Sequence, residues 1–321
     1  MKLLCLAALC ATALFTTSGV AQAPAPARPA APAGQTTPSD SDDQTPIRLD
    51  VTRVNILFTV TDKKGRFVTD LTKDEFEVIE NKKQQTIQQF ASESDLPLRL
   101  ALLIDTSNSI RDQFRFEQEA AVRFVQSVVR PHADKLMLVS FDNVTEMVSD
   151  LSDDPRVLEA GIKRMRPGGG TALYDAIYFA AKEKLMMDQP HDKFRRAMII
   201  ISDGDDTESR LTRDQALEMA QKADVVIYAI STNIKREDSD GDKVLRYLTE
   251  ETGGQAFFPF KISDLDQNFE NIANELRHQY TVFYRPEPLK ADGLYHPVTV
   301  RAKGRKDLVI RARKGYYAPK F

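Results

Sequence analysis

The chain of 321 residues predicts an α/β fold, a doubly wound and mostly parallel sheet inserted in a β-sandwich that the N- and C-terminal flanks build together. Three observations carry that expectation. Apolar runs without alternation at residues 100–104, 136–139, 197–201 and 225–230 suit strands covered on both faces, and amphipathic segments of helical period separate them. Residues 47–95 and 278–321 instead alternate apolar and polar side chains between turn signals, as strands with one wet face do. Either flank alone would leave an apolar face and open edges in water, so pairing across the insertion is the arrangement that covers both.

Taken in order, the chain opens with Lys2, an apolar run over 3–15 and Ala21-Gln22-Ala23. That is the order of a secretory signal peptide, expected over residues 1–23, and it predicts an exported protein, periplasmic or secreted. Both cysteines, Cys5 and Cys10, fall inside it, so the rest of the chain has neither disulfide nor thiol chemistry. Residues 24–46 are rich in alanine and proline and then acidic, which reads as a flexible linker. No later stretch approaches the roughly 18 apolar residues of a membrane span, so no transmembrane segment is expected after cleavage. The first half of the sandwich, 47–95, offers strands near 50–60, 76–80 and 87–90, with turns at 62–65 and 81–83.

The α/β domain is expected over 96–277. A strand at 100–105 leads to a helix at 111–129 that Pro131 ends, then to a strand at 136–141 with 146–151 antiparallel beside it. Helices follow at 155–165, with Pro155 in the first turn, and at 171–187. Strands at 197–201 and 225–230 flank a helix at 213–223 whose N-cap is Thr212. A helix at 242–252 stops at Gly253-Gly254, an edge strand covers 256–258, and Ser263 opens a last helix to 277. The second sandwich half, 278–321, supplies strands near 278–284, 296–302 and 308–313.

Several functions are disfavoured by composition. A net charge of −3 gives no electrostatic reason to expect nucleic acid. His132, His191, His278 and His296 are scattered singly, without the spacing of a zinc site. The glycine run 168–170 is followed by Thr171-Ala172 rather than Lys and Ser or Thr, which argues against a phosphate loop. Neither Ser107 nor Ser109 lies in a nucleophile elbow. What remains is oxygen chemistry at the carboxyl ends of strands, where open α/β sheets place ligands. Asp105, Ser107 and Ser109 are spaced so that one carboxylate and two hydroxyls turn to one side of a loop, Gly168-Gly169-Gly170 gives a tight loop that can bring up Thr171, and Asp203-Gly204 ends a second apolar strand.

Asp105, Ser107, Ser109, Thr171 and Asp203 together resemble the metal-ion-dependent adhesion site (MIDAS) of von Willebrand factor A (VWFA) domains, with all five positions in family order. The resemblance implies a VWA or Rossmann-like sheet and magnesium, or manganese or calcium, on those five residues. It also implies an open coordination position that takes an Asp or Glu carboxylate from a protein partner, hence a non-enzymatic adhesion or scaffold module. In such domains the last helix can slide when the site is engaged, and here it leads directly into the second sandwich half. The flanks are similar to those of exported bacterial VWFA-related proteins at Asp74-Glu75-Phe76-Glu77-Val78 and Gly315-Tyr316-Tyr317. Two rival readings use the same loops. A metal-assisted hydrolase or phosphatase would need Asp205 or Asp206 as its acid or base, and a structural envelope protein would leave the site idle. Asp205 and Asp206 are expected to be solvated, residues 237–242 to form a turn capping the next helix, and the basic stretch 301–314 to be the wet face of a strand.

Overall fold

A computed structural model describes residues 53–92, 96–188, 193–233, 237–259, 261 and 264–320. The expected signal peptide, the linker and Ser263 lie outside the described residues. The first flank supplies β1 (Val54–Asp62), β2 (Phe76–Glu80), β3 (Lys83–Gln85) and β4 (Ile87–Ala91). The all-polar β3 was not readable as a strand. It forms because Asn81 and Lys82, both at positive φ (47° and 67°), close a tight hairpin with β2.

The middle of the chain alternates strands and helices: β5 (Leu98–Asp105), α1 (Phe114–Val128), β6 (Lys135–Phe141), β7 (Thr145–Ser152), α2 (Pro155–Arg164) and α3 (Leu173–Ala180). There follow β8 (Arg195–Ser202), α4 (Arg213–Lys222), β9 (Val225–Ser231), α5 (Asp240–Thr252), β10 (Ala256–Phe257) and α6 (Leu265–Arg277). Helix α1 starts later than expected because Asn108–Ile110 forms a 3-10 turn, and α3 continues as a π-helical turn over Ala181–Leu185. Thr212 and Ser239 cap α4 and α5, each with a reciprocal bond from the residue three positions on. Asp264 precedes α6 and makes no side-chain cap. The last flank adds β11 (Tyr280–Tyr284), β12 (Tyr295–Ala302), β13 (Leu308–Ala312) and β14 (Gly315–Tyr317).

The six-stranded sheet has the order β10-β9-β8-β5-β6-β7, parallel throughout except for β7. All residues of β5, β8 and β9 are buried, which explains their unbroken apolar runs. Leu100, Leu102 and Ile104 face a layer of α1, α2 and α6, while Ala101 and Leu103 face α3, α4 and α5. The two flanks do form a sandwich: β13-β1-β11-β4 and β14-β12-β2-β3 are four-stranded sheets, each mixing strands from both ends of the chain. Ile56, Phe58, Val78, Tyr280, Val282 and Val298 fill the space between them. The α/β layer is therefore inserted between paired strands.

The basic stretch 301–314 is not simply a wet face. Arg311 bonds Glu275 of α6 at 2.7 Å, Thr59 of β1 donates to the same carboxylate at 3.1 Å, and Arg313 pairs with Asp224. These contacts tie the sandwich to α6 and to the α4–β9 turn. Among the described residues no helix is long and apolar enough to cross a membrane.

Candidate metal site

β5 sits where the winding reverses, since the chain leaves it toward β6 on one side while β8 lies on the other. A crevice at the carboxyl ends of the strands is expected at such a point. Asp105 is the last residue of β5 and fully buried. Its Oδ1 accepts the Ser107 N–H at 2.8 Å and its Oδ2 accepts the Ser202 hydroxyl at 2.7 Å, so the loop after β5 and the end of β8 are both anchored on it. Ser107 and Ser109 approach through their hydroxyls at 2.8 Å.

The glycine loop is stitched into the same cluster. Gly168 N–H donates to the Thr106 carbonyl at 2.6 Å, Asn108 N–H to the Gly169 carbonyl at 3.1 Å, and Gly170 N–H to Asn143 Oδ1 at 2.5 Å. Thr171 is held from the third loop: its N–H donates to Thr207 Oγ1 at 3.0 Å, and its carbonyl accepts the N–H groups of Thr207 and Glu208 at 2.9 and 3.0 Å. Asp203 follows Ser202 directly, and Gly204 at φ 81° lets the chain turn against Gly241, where a Cβ would overlap the Gly241 carbonyl. Three loops expected from separate stretches are thus one hydrogen-bonded unit. Ser107 and Thr171 are buried, Asp203 is half-buried and Ser109 is exposed. Over residues 100–275 the sequence matches the model of the von Willebrand factor type A domain.

The chain belongs to the von Willebrand factor type A family.

Among solved structures, the von Willebrand factor type A protein from Catenulispora acidiphila aligns over 84% of this chain and 75% of its own, at 12% identity and a TM-score of 0.50. Proximal thread matrix protein 1 from the mussel byssus, described with a zinc-occupied MIDAS motif, aligns over 61% of this chain at 16% identity and a TM-score of 0.49. This chain spans about half, 49%, of that protein's length. An aerotolerance-related membrane protein from Bacteroides fragilis is 16% identical over 56% of this chain and 98% of its own, with a TM-score of 0.45. These are likenesses of fold. None of the curated proteins matches the chain.

In this VWFA domain the buried Asp105 is under-compensated. Burial pushes the Asp105 carboxyl up to about 6 against the hydrogen bonds from Ser202 and Ser107, and the Asp203 charge adds to the rise. Sequence reasoning missed Ser202, Thr207 and Asn143, whose roles depend on loop packing alone. It also missed Glu117 of α1, which lies on the buried stripe of that helix. There the signal was present, because an acid stood one turn from Phe114 and Ala121 and two turns from Phe124 on the apolar face.

The donor set fits a hard cation. Two carboxylates and three hydroxyls are all oxygen, and each Asp105 oxygen accepts one protein donor while retaining a second lone pair. Among the described residues no three His, Cys, Asp or Glu side chains are placed to share an ion, and the candidate donors are two acids and three hydroxyls. Asp206, expected in solvent, instead accepts from the Tyr174 N–H at 3.0 Å and the Ser209 hydroxyl at 2.6 Å, which makes it an anchor for the start of α3. A hydrolase using Asp206 as its base would have to break that anchor. His132, His278 and His296 stand on the α1–β6 turn, after α6 and in the sandwich, away from the crevice loops.

Proposed function

We propose that this chain is an exported, metal-dependent protein-binding module of adhesive or scaffold type, not an enzyme. Asp105, Ser107, Ser109, Thr171 and Asp203 would hold a divalent cation, magnesium or else manganese or calcium, and the partner is a protein presenting an Asp or Glu carboxylate. When bound, the cation supplies an electrophilic position that a carboxylate can complete. The observation that carries the reading is the interlocking of three loops around a fully buried Asp105 whose hydrogen bonds do not offset its burial. Asp105 orients the first loop through Ser107 and the β8 end through Ser202. Thr171, fixed by Thr207, presents a hydroxyl from the second loop, and the exposed Ser109 marks the side from which a partner arrives. Two carboxylates balance the double charge, but five donors leave a place in a near-octahedral shell open, which an oxygen of an incoming carboxylate can fill.

Export is supported by the signal-like order of residues 1–23, and division into 1–23, 24–46, 47–95, 96–277 and 278–321 remains our assignment. Magnesium at a hundredfold excess over its dissociation constant should raise stability by about 2.7 kcal/mol. Asp105→Ala and Asp203→Ala should each erase that gain. A pull-down from envelope extract, with magnesium or with chelator, should then recover a partner only with the metal. Equal melting in magnesium and chelator would overturn the site, and equal recovery with wild-type and Asp203→Ala baits would leave it idle. A panel of phosphoester and peptide substrates should show no turnover.

A further inference from the structure

The buried stripe of α1 consists of Phe114, Ala120, Ala121, Phe124, Val125, Val128 and, one turn into the helix, Glu117 at 2% exposure. The Glu117 Oε2 has no hydrogen-bond partner among the described residues. A carboxyl in that position is unfavourable for folding, since a methionine or leucine would fill the space without a desolvated polar atom. Its location gives it a use. Helix α1 is the crossover that leaves Asp105, so its first turn stands at the carboxyl end of β5, and the charges that act on Glu117 are those of Asp105 from β5 and Asp203 from β8. The element packed on the other side, α6, contributes apolar Leu265 and Phe269 to the same cluster, with Phe269 stacked on Phe124, while its Asp266 is paired with Arg123 at the surface. Among the described residues no three His, Cys, Asp or Glu side chains are placed to share one ion, so Glu117 is not assigned as a direct ligand.

We propose that Glu117 is a further, positioning residue of the cation site, accepting a hydrogen bond from a water on the buried side of the ion and giving up its proton to solvent when the ion binds. This rests on the five-residue reading above. Magnesium keeps several waters when protein-bound, and a cation makes the O–H groups of those waters strong donors. The proton balance is simple: the neutral carboxyl loses one proton to the buffer, and the carboxylate accepts from a water that stays intact. Without the ion, burial first and then the charges of Asp105 and Asp203 push the Glu117 carboxyl up to about 8, so at neutral pH it is mostly protonated. The ion removes the second of these causes by offsetting both aspartates, and the water supplies the missing partner.

The test is calorimetric titration of magnesium chloride into the full chain near pH 7, in two buffers with different protonation heats, PIPES and Tris. The comparison of wild type with Glu117→Gln isolates the proton of Glu117 from any that other groups release. Wild type should release close to one proton per magnesium. Glu117→Gln should release almost none and bind roughly tenfold more weakly, the size expected for losing an outer hydrogen-bond partner of a metal site. Equal affinity and equal proton counts in the two proteins would make Glu117 a merely buried acid and overturn the proposal. If Glu117→Gln fails to fold, Glu117→Met, which fills the space without a polar atom, takes its place, and a proton count equal to that of wild type overturns the proposal. Absence of any magnesium heat from wild type would instead overturn the five-residue site, and this proposal with it.

Discussion

The two ends of the central sheet both bury acids, and they treat them in opposite ways. At the amino end Asp134 accepts from the Leu98 N–H at 2.8 Å, the Arg130 N–H at 2.9 Å and the Arg277 guanidinium at 2.6 Å. Burial pushes its carboxyl up, but the bonds from Arg277, Leu98 and Arg130 outweigh that and hold it below the ordinary range. At the carboxyl end Asp105 and Glu117 are buried with fewer donors, the Asp203 charge acts on both and the Asp105 charge on Glu117, and both carboxyls rise. A saturated acid is part of the frame: Asp134 fixes the start of β5, the end of α1 and the end of α6 to one another. An unsaturated acid raises the energy of the fold by itself, and the proposed cation would offset that cost.

The largest expected effect falls at the saturated end. Asp134→Ala leaves Arg130 and Arg277 facing a buried gap and should cost about 3–5 kcal/mol in urea denaturation, with the magnesium response intact in whatever remains folded. Asp105→Ala measured in chelator should cost far less, and an equal loss would break the contrast between the two ends. Next comes Gly204→Ala. Its left-handed backbone and the overlap with the Gly241 carbonyl should cost more than about 2 kcal/mol and displace Asp203, so the magnesium gain should shrink as well.

A pH scan in chelator sharpens the comparison further. Glu117 is raised from its ordinary 4.5 to about 8, so the fold holds its proton more tightly than the unfolded chain does. That stability is complete below the ordinary value and is lost as pH climbs through the window toward about 8. Denaturation between pH 6 and pH 8 should show a decline on the order of 2 kcal/mol, which Glu117→Gln should flatten. A flat wild-type profile would mean that Glu117 is solvated. The smallest effect belongs to the rim, where Arg123 and Asp266 pair at 2.8 Å with both side chains about half exposed, at 47% and 49%. Arg123→Ala should change stability by no more than about 0.5 kcal/mol.

Legibility in the sequence followed burial. The strands β5, β8 and β9 were readable because every residue in them is covered, and β12 because burial alternates along it. The strand β3 was not, since Lys83, Gln84 and Gln85 pair through backbone alone. Three of the site's loops could be named in advance from Asp105, Thr171 and Asp203. The residues that lock them, Ser202, Thr207 and Asn143, could not, because a serine closing a strand and a threonine or asparagine in a loop carry no periodic signal. Asp206 was misread as solvated for the same reason, its partners Tyr174 and Ser209 lying on the start of α3 and in its own loop.

By itself, then, the sequence determined the order of strands and helices, the faces they bury and the oxygen-bearing residue types at the carboxyl ends, since periodicity and side-chain chemistry are local properties. Tertiary structure alone decided which acids are paired. Asp134 and Glu117 are both single acids near apolar runs, indistinguishable in the chain. Only the packing of α6 brings Arg277 to the first, whereas the second faces Asp105 and Asp203, and ionisation in a buried site depends on what stands within a few ångströms rather than on the neighbours in sequence.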